Sequence, residues 1–158
     1  MIVEDLGSFA ESLAKLQPII GLDLGEKTIG VAASDGLLQA ANAVVTIKRK
    51  KFGVDAAQLL EIAQTRNAAG FILGLPRNMD GSEGPRCQST RAFARNLSAL
   101  TDLPIGFWDE RLSTVAAERA LIEADLTRKR RKEIIDSVAA TYILQGALDR
   151  IRHIRAGT

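Results

Sequence analysis

Between residues 19 and 48 three apolar runs follow one another with only short turns between them: IIGLDLG (19–25), IGVAASD (29–35) and NAVVTIK (42–48). Each has the length of a strand, and GEKT and Asp35-Gly36 supply turn chemistry between them. Links this short join antiparallel neighbours, because a parallel crossover needs a dozen residues or more. After the basic run Lys48-Arg49-Lys50-Lys51 the pattern changes. Val54, Leu59, Leu60, Ile62 and Ala63 fall at helical spacing, with Asp55 available as a cap and Gly70 as the stop. FILGLP (71–76) reads as a short buried strand, and a polar loop rich in Gly and Pro runs from Arg77 to Pro85. A helix near 86–100 leads to the strand PIGFWD (104–109), and residues 114–125 and 131–150 both read as helices. The order β-β-β-α-β-α-β-α-α predicts an α/β fold. Its mixed five-stranded sheet has three antiparallel strands, then two parallel ones, and is flanked by helices.

Upstream, Leu6, Phe9, Leu13 and Leu16 suggest a short amphipathic helix over 4–16, ended by Pro18. The chain thus divides into an N-terminal extension of helical character (1–17), one domain (18–152) and a C-terminal tail (153–158). A length of 158 residues suits a single domain of this kind. The N-terminus carries Glu4, Asp5 and Glu11 and no positive segment, unlike a secretory leader. No apolar run approaches the ~18 residues that span a bilayer. The expected address is cytoplasmic, with no membrane partner.

Chemistry enters where carboxylates interrupt segments that otherwise want burial. Asp23 sits inside IIGLDLG, and a lone buried carboxylate neutralises unless it is paired or binds a cation. The alternative is an Asp that caps the following turn. Gly21, Gly25 and Gly30 leave the backbone around it bare, so that a metal or a phosphate can approach closely. Asp109-Glu110-Arg111 closes the strand IGFWD, at the carboxyl end of a parallel strand, where open α/β sheets build sites. Arg111 either pairs with one of these acids, releasing the other for metal, or contacts phosphate itself. Asp136 lies in EIIDSVAATYIL at the margin of the apolar stripe, beside Ala139, Ala140 and Ile143. A polar strand exit and a solvated acid on a helix rim are the plainer readings of these last two.

The single cysteine, Cys87, and the single histidine, His153, exclude disulfides and sites built on several thiols or imidazoles. Any metal is therefore held by oxygen, which favours Mg²⁺ or Mn²⁺, as one or two ions. Three carboxylates and dense positive charge make the set that phosphodiester hydrolysis needs. The positive charge lies in Lys48–Lys51 and in Arg128-Lys129-Arg130-Arg131-Lys132, runs that attract phosphate backbones or else mark solvated loops.

At these residues the chain resembles a known family. GLDLGEKTIGVAASD, ILGLPRNMDGSEGP, DERLST and IIDSVAA, in this order, look like the YqgF-type Holliday junction resolvases, also described as pre-16S rRNA nucleases. The likeness runs from about Ile19 to Asp149. It implies a ribonuclease H-like fold, a cytoplasmic address and trimming of the 5′ end of pre-16S rRNA, with the small-subunit precursor as a partner. By the family's motifs Asp23 is the first-strand acid and Asp136 the acid of the C-terminal helix. Glu110 or Asp109 supplies the middle one; here the chain departs from related resolvases, whose second acid lies on the fourth strand, where this chain has ILGLP and no carboxylate.

Arg77, Asn78 and Ser82 of the long loop, Lys27 and Thr28 of the turn after Asp23, and Arg111 are the expected contacts to phosphate or sugar. Gly81 and Gly84 suggest that the loop is mobile. Two other readings compete. One is resolution of branched DNA, which calls for a homodimer rather than a monomer. The other is a non-catalytic nucleic-acid-binding module that rides on the ribosome.

Overall fold

The computed structural model describes residues 1–112 and 128–157, with side chains described outside 128–136. The helix expected over 114–125 lies outside the described residues. Five strands form one sheet: β1 (Ile19–Leu24), β2 (Thr28–Ser34), β3 (Ala41–Lys48), β4 (Gly70–Leu75) and β5 (Ile105–Asp109). Their order is β3-β2-β1-β4-β5. As the short turns require, β1–β2 and β2–β3 are antiparallel, whereas β1–β4 and β4–β5 are parallel. β1 and β4 are buried almost throughout, as central strands made of Ile, Leu, Phe and Gly should be.

Four helices cover the sheet: α1 (Leu6–Ser12), α2 (Phe52–Arg66), α3 (Pro85–Ser98) and α4 (Arg128–Ala156). α1 is shorter than its apolar spacing suggests. Its start is set by Asp5, which accepts the Ser8 N–H at 2.8 Å, and the chain is already extended at Leu13. α2 stops at Asn67, not at Gly70. Asn67 takes the left-handed conformation (φ 54°), its N–H returns to the Ala63 and Gln64 carbonyls, and Gly70 is free to open β4. The N-cap of α2 is Lys51. Asp55, expected as the cap, sits buried one turn later and accepts the Lys50 N–H at 3.1 Å. Pro85 occupies the first turn of α3, where its missing N–H costs nothing. α4 runs for 29 residues and continues through 153–156.

The side-chain alternation of the strands sorts the core into two layers. Ile20, Leu22, Phe71, Leu73 and Phe107 face α2 and α3, where Leu59, Phe93 and Leu97 meet them. Ile19, Ala32, Ile72 and Trp108 face α1 and α4, which contribute Phe9, Ala140, Ile143, Leu144 and Ile151. On this second face α4 lies very close to β1. A Cβ on Gly21 would stand 2.7 Å from Leu144 Cβ and 3.3 Å from the Ala140 carbonyl. Leu144 is fully buried, and cutting it to Ala costs about 2–5 kcal/mol.

The outer edge of β5 is covered by the first residues of the chain. Ile2 bridges Ile105 in parallel, the Val3 N–H donates to the Ile105 carbonyl at 2.8 Å, and the Ile105 N–H donates to the Met1 carbonyl at 2.8 Å.

Candidate active site

Asp23 is the fifth residue of β1, abreast of Gly30 on β2, and only 3% of its surface is exposed. It is a strand residue. The turn behind it is closed by backbone, with the Gly25 N–H donating to the Thr28 carbonyl at 2.9 Å. Alternation from Ile19 through Gly21 puts Asp23 on the α4 face of the sheet.

The two acids at the end of β5 part company. Phe107 belongs to the α2/α3 layer and Trp108 to the α4 layer, so Asp109 follows Phe107 and Glu110 follows Trp108. Asp109 is taken up by arginines. Its Oδ1 accepts the backbone N–H of Arg111 at 3.0 Å, its Oδ2 lies 2.7 Å from Arg111 Nη2, and Arg77 Nη1 is 3.9 Å away. The Arg111 hydrogen bonds hold its carboxyl below the usual carboxylate range. Of the two roles open to Arg111, pairing with an acid is the one observed.

Glu110 opens a short 3-10 turn (Glu110–Leu112), and its carboxyl carbon stands 3.2 Å from where a Cβ on Gly74 would be. β1 and β4 are in register at Leu22 and Leu73, which sets Gly74 abreast of Asp23. Neighbouring strands are about 4.8 Å apart. The Glu110 carboxylate therefore lies over the strand adjacent to Asp23, on the same face, above a position without a side chain.

α4 crosses this face antiparallel to β1. Ile143 lies against Gly74, Ala140 and Leu144 against Gly21, and Arg155 donates to the Ala10 carbonyl at 3.2 Å near the opposite end of the sheet. Its earlier turns thus head towards the carboxyl end of β1. Asp136 belongs to those turns, one helical turn before Ala140; its side chain lies outside the described residues, as do those of Arg128, Lys129, Arg130, Arg131 and Lys132. Among the described residues no group of three or more His, Cys, Asp or Glu comes together. The donors at hand, Asp23 and Glu110, are oxygens and suit a hard divalent cation. Cys87 is buried in the α2/α3 layer, and His153 lies in the last turn of α4.

The sequence profile described as "RuvX: Holliday junction resolvase" matches residues 17–150. This chain belongs to the RuvX family. Among its relatives, a "Putative pre-16S rRNA nuclease" of Ruegeria sp. (strain TM1040) is 67% identical, over 99% of each chain. A protein of the same name from Paracoccus denitrificans (strain Pd 1222) is 66% identical, over 98% of each. Among solved structures, T. thermophilus RuvC in complex with Holliday junction substrate superposes with a TM-score of 0.53 at 12% identity, covering 90% of this chain and 97% of RuvC. At that identity the likeness speaks for the fold, which is ribonuclease H-like.

In this RuvX family member the long loop carries several internal hydrogen bonds. The Asn78 N–H donates to the Ser82 carbonyl at 3.0 Å, Asn78 Nδ2 to Ser82 Oγ at 3.0 Å, and the Ser82 hydroxyl to Asp80 at 2.6 Å. The Ser82 hydroxyl, and after it the Ser82 backbone N–H, hold Asp80 below its usual range. Arg77 lies 3.4 Å from Glu83, and Arg91 of α3 grips both oxygens of Glu83 at 2.6 and 2.8 Å while reaching Glu4. Arg91 and Glu83 were not legible as a pair, because charged residues eight apart across a loop–helix junction carry no periodic signal. Lys27 is exposed at the tip of the β1–β2 turn, and Thr28 is buried where β2 begins. A cavity of about 740 Å³ lies elsewhere, between α1, Gly36–Leu38 and the end of α4. Neither Asp23 nor Glu110 lines it.

Proposed function

We propose that this chain is a cytoplasmic, metal-dependent nuclease that trims the 5′ end of pre-16S rRNA on the small-subunit precursor, with Asp23, Glu110 and Asp136 as its catalytic carboxylates. Phosphodiester hydrolysis is the chemistry of the family to which it belongs, and its full-length relatives carry the rRNA name. The observation that carries the site is the Glu110 carboxyl above Gly74, abreast of the buried Asp23. We favour Glu110 over Asp109 for the middle role because the Asp109 carboxylate is paired with Arg111.

One or two Mg²⁺ or Mn²⁺ ions bound there would neutralise the scissile phosphate and lower the pKa of an attacking water. The chain's own part is to hold Asp23 in a rigid central strand, to keep the sheet bare at Gly74 and Gly30, and to present Lys27 beside the acids. The reading is supported by the acid–glycine pattern and by the lack of competing imidazole or thiol donors at this sheet end.

The test incubates purified wild type and Asp23→Asn with pre-16S rRNA and with a four-way DNA junction, each with Mg²⁺ and with Mn²⁺. Cleavage of the rRNA by wild type alone is the expected result. Equal cutting by the variant, or none by wild type on either substrate, overturns the proposal. Junction resolution is the second reading, favoured by the family's description. Symmetric junction cutting would require a dimer with paired sites, so junction cleavage by a dimeric species would select it over the rRNA reading.

A further inference from the structure

The basic run Lys48–Lys51 has one member that faces the other way. Lys48, Lys50 and Lys51 are exposed, whereas Arg49 is half-buried. Its Nη1 donates to the Gly25 carbonyl at 2.6 Å, and its backbone N–H donates to the Lys27 carbonyl at 2.8 Å. Its guanidinium carbon lies 5.7 Å from the centre of the Phe93 ring, which Phe52 braces edge-on at 5.2 Å. Arg49 therefore spans from α3 to the turn that begins two residues after Asp23, and it engages that turn at both Gly25 and Lys27.

We propose that Arg49 is a positioning residue of the nuclease site, one that sets the β1–β2 turn and hence Asp23 and Lys27, and does not itself bind phosphate. The inference rests on the nuclease reading above. The turn has its own internal bond from Gly25 to Thr28, but that bond fixes only its closure. The arginine adds a side-chain tie from the turn to α3. A guanidinium suits the task because it can stack on Phe93 while donating in its own plane to a carbonyl. The three neighbouring lysines keep their charges in solvent, where a polyanion would meet them.

The two roles separate experimentally. A positioning residue acts on turnover, since displacing catalytic groups by about 1 Å can cost on the order of 100-fold. A phosphate contact acts on substrate affinity and on its salt dependence, with a slope change of about one per contact. The experiment compares wild type, Arg49→Gln and Lys50→Gln on the RNA or junction substrate that wild type cleaves, measuring kcat and KM from 50 to 200 mM salt. Amide hydrogen exchange over residues 24–28 is recorded alongside.

For Arg49→Gln we expect kcat to fall about 10-fold or more with the salt slope of KM unchanged, and faster exchange in the turn. For Lys50→Gln we expect a raised KM, a shallower salt slope and unaltered exchange. Unchanged exchange in Arg49→Gln, or a raised KM with a shallower slope at full kcat, overturns the proposal. Wild type that cleaves neither substrate sinks the nuclease reading instead, and the exchange data still report whether Arg49 holds the turn.

Discussion

Asp109 and Glu110 are neighbours in sequence and leave β5 on opposite faces of the sheet, Asp109 towards Arg77 and Arg111 and Glu110 over Gly74. On the proposed reading the pair divides its labour. Glu110→Gln should abolish metal-dependent cleavage with little loss of stability. Asp109→Asn should leave substantial cleavage and lower unfolding stability by about 1–2 kcal/mol, the worth of hydrogen bonds to a charged partner. Denaturant titration together with a cleavage assay on each variant checks both halves. Full activity in Glu110→Gln would return the role to Asp109.

Asp23→Asn should retain the fold and lose more than about 100-fold in cleavage, since even outer-shell partners of a metal ligand are worth 10–100-fold. Circular dichroism and a melting curve test the first part, single-turnover cleavage the second. A parallel loss of Mn²⁺ binding by calorimetry would tie the defect to the metal.

Gly74 has two neighbours that leave no room for a side chain: its Cβ would fall 2.6 Å from Ile143 Cδ1 and 3.2 Å from the Glu110 carboxyl carbon. Gly74→Ala should cost about 1–3 kcal/mol by overpacking and also depress cleavage by shifting Glu110. Adding Ile143→Val removes the Cδ1 methyl and should restore part of the stability. If the double variant recovers stability but not activity, the damage lies at Glu110, as the geometry predicts.

Acid sensitivity follows from the arginine-held acids. Arg91 holds Glu83, and Arg111 holds Asp109, below their ordinary values. In the unfolded chain these groups titrate near 4.3 and 3.9, so the unfolded state takes up protons first as pH falls. Their contribution is complete above those values and is lost as pH drops through the lower folded ones. Stability measured from pH 5 down to pH 2.5 should decline, and Glu83→Gln should flatten that decline. An identical slope in the variant would mean that other carboxylates govern it.

Much of this was legible in the residues themselves. Asp23 stood out because Ile, Leu and Gly surround it in a run that wants burial, and short turns dictated the antiparallel half of the sheet. The choice between Asp109 and Glu110 was not legible, since a doublet at a strand end puts one acid on each face and only the layers above and below tell which is which. Arg49 was hidden for another reason. In a run of like charges nothing local marks the member that turns inward; that depends on Gly25 and Phe93, far away in sequence. The internal bonds of the loop were also not legible: Asp80 accepts both the backbone N–H and the hydroxyl of Ser82, which a count of glycines does not reveal. Asp136 is placed by sequence pattern on α4, and its side chain lies outside the described residues.

The strip formed by Met1, Ile2 and Val3 along Ile105 has a further consequence. An uncovered strand edge offers free N–H and C=O groups to any passing chain, and sheet proteins pay for such edges in self-association. Here three residues act as a guard rail for β5, and Glu4 pins them to Arg91. Anything that crowds or removes them, a fused affinity tag included, bares a sticky margin along β5, so recombinant material is best carried with its tag at the other end.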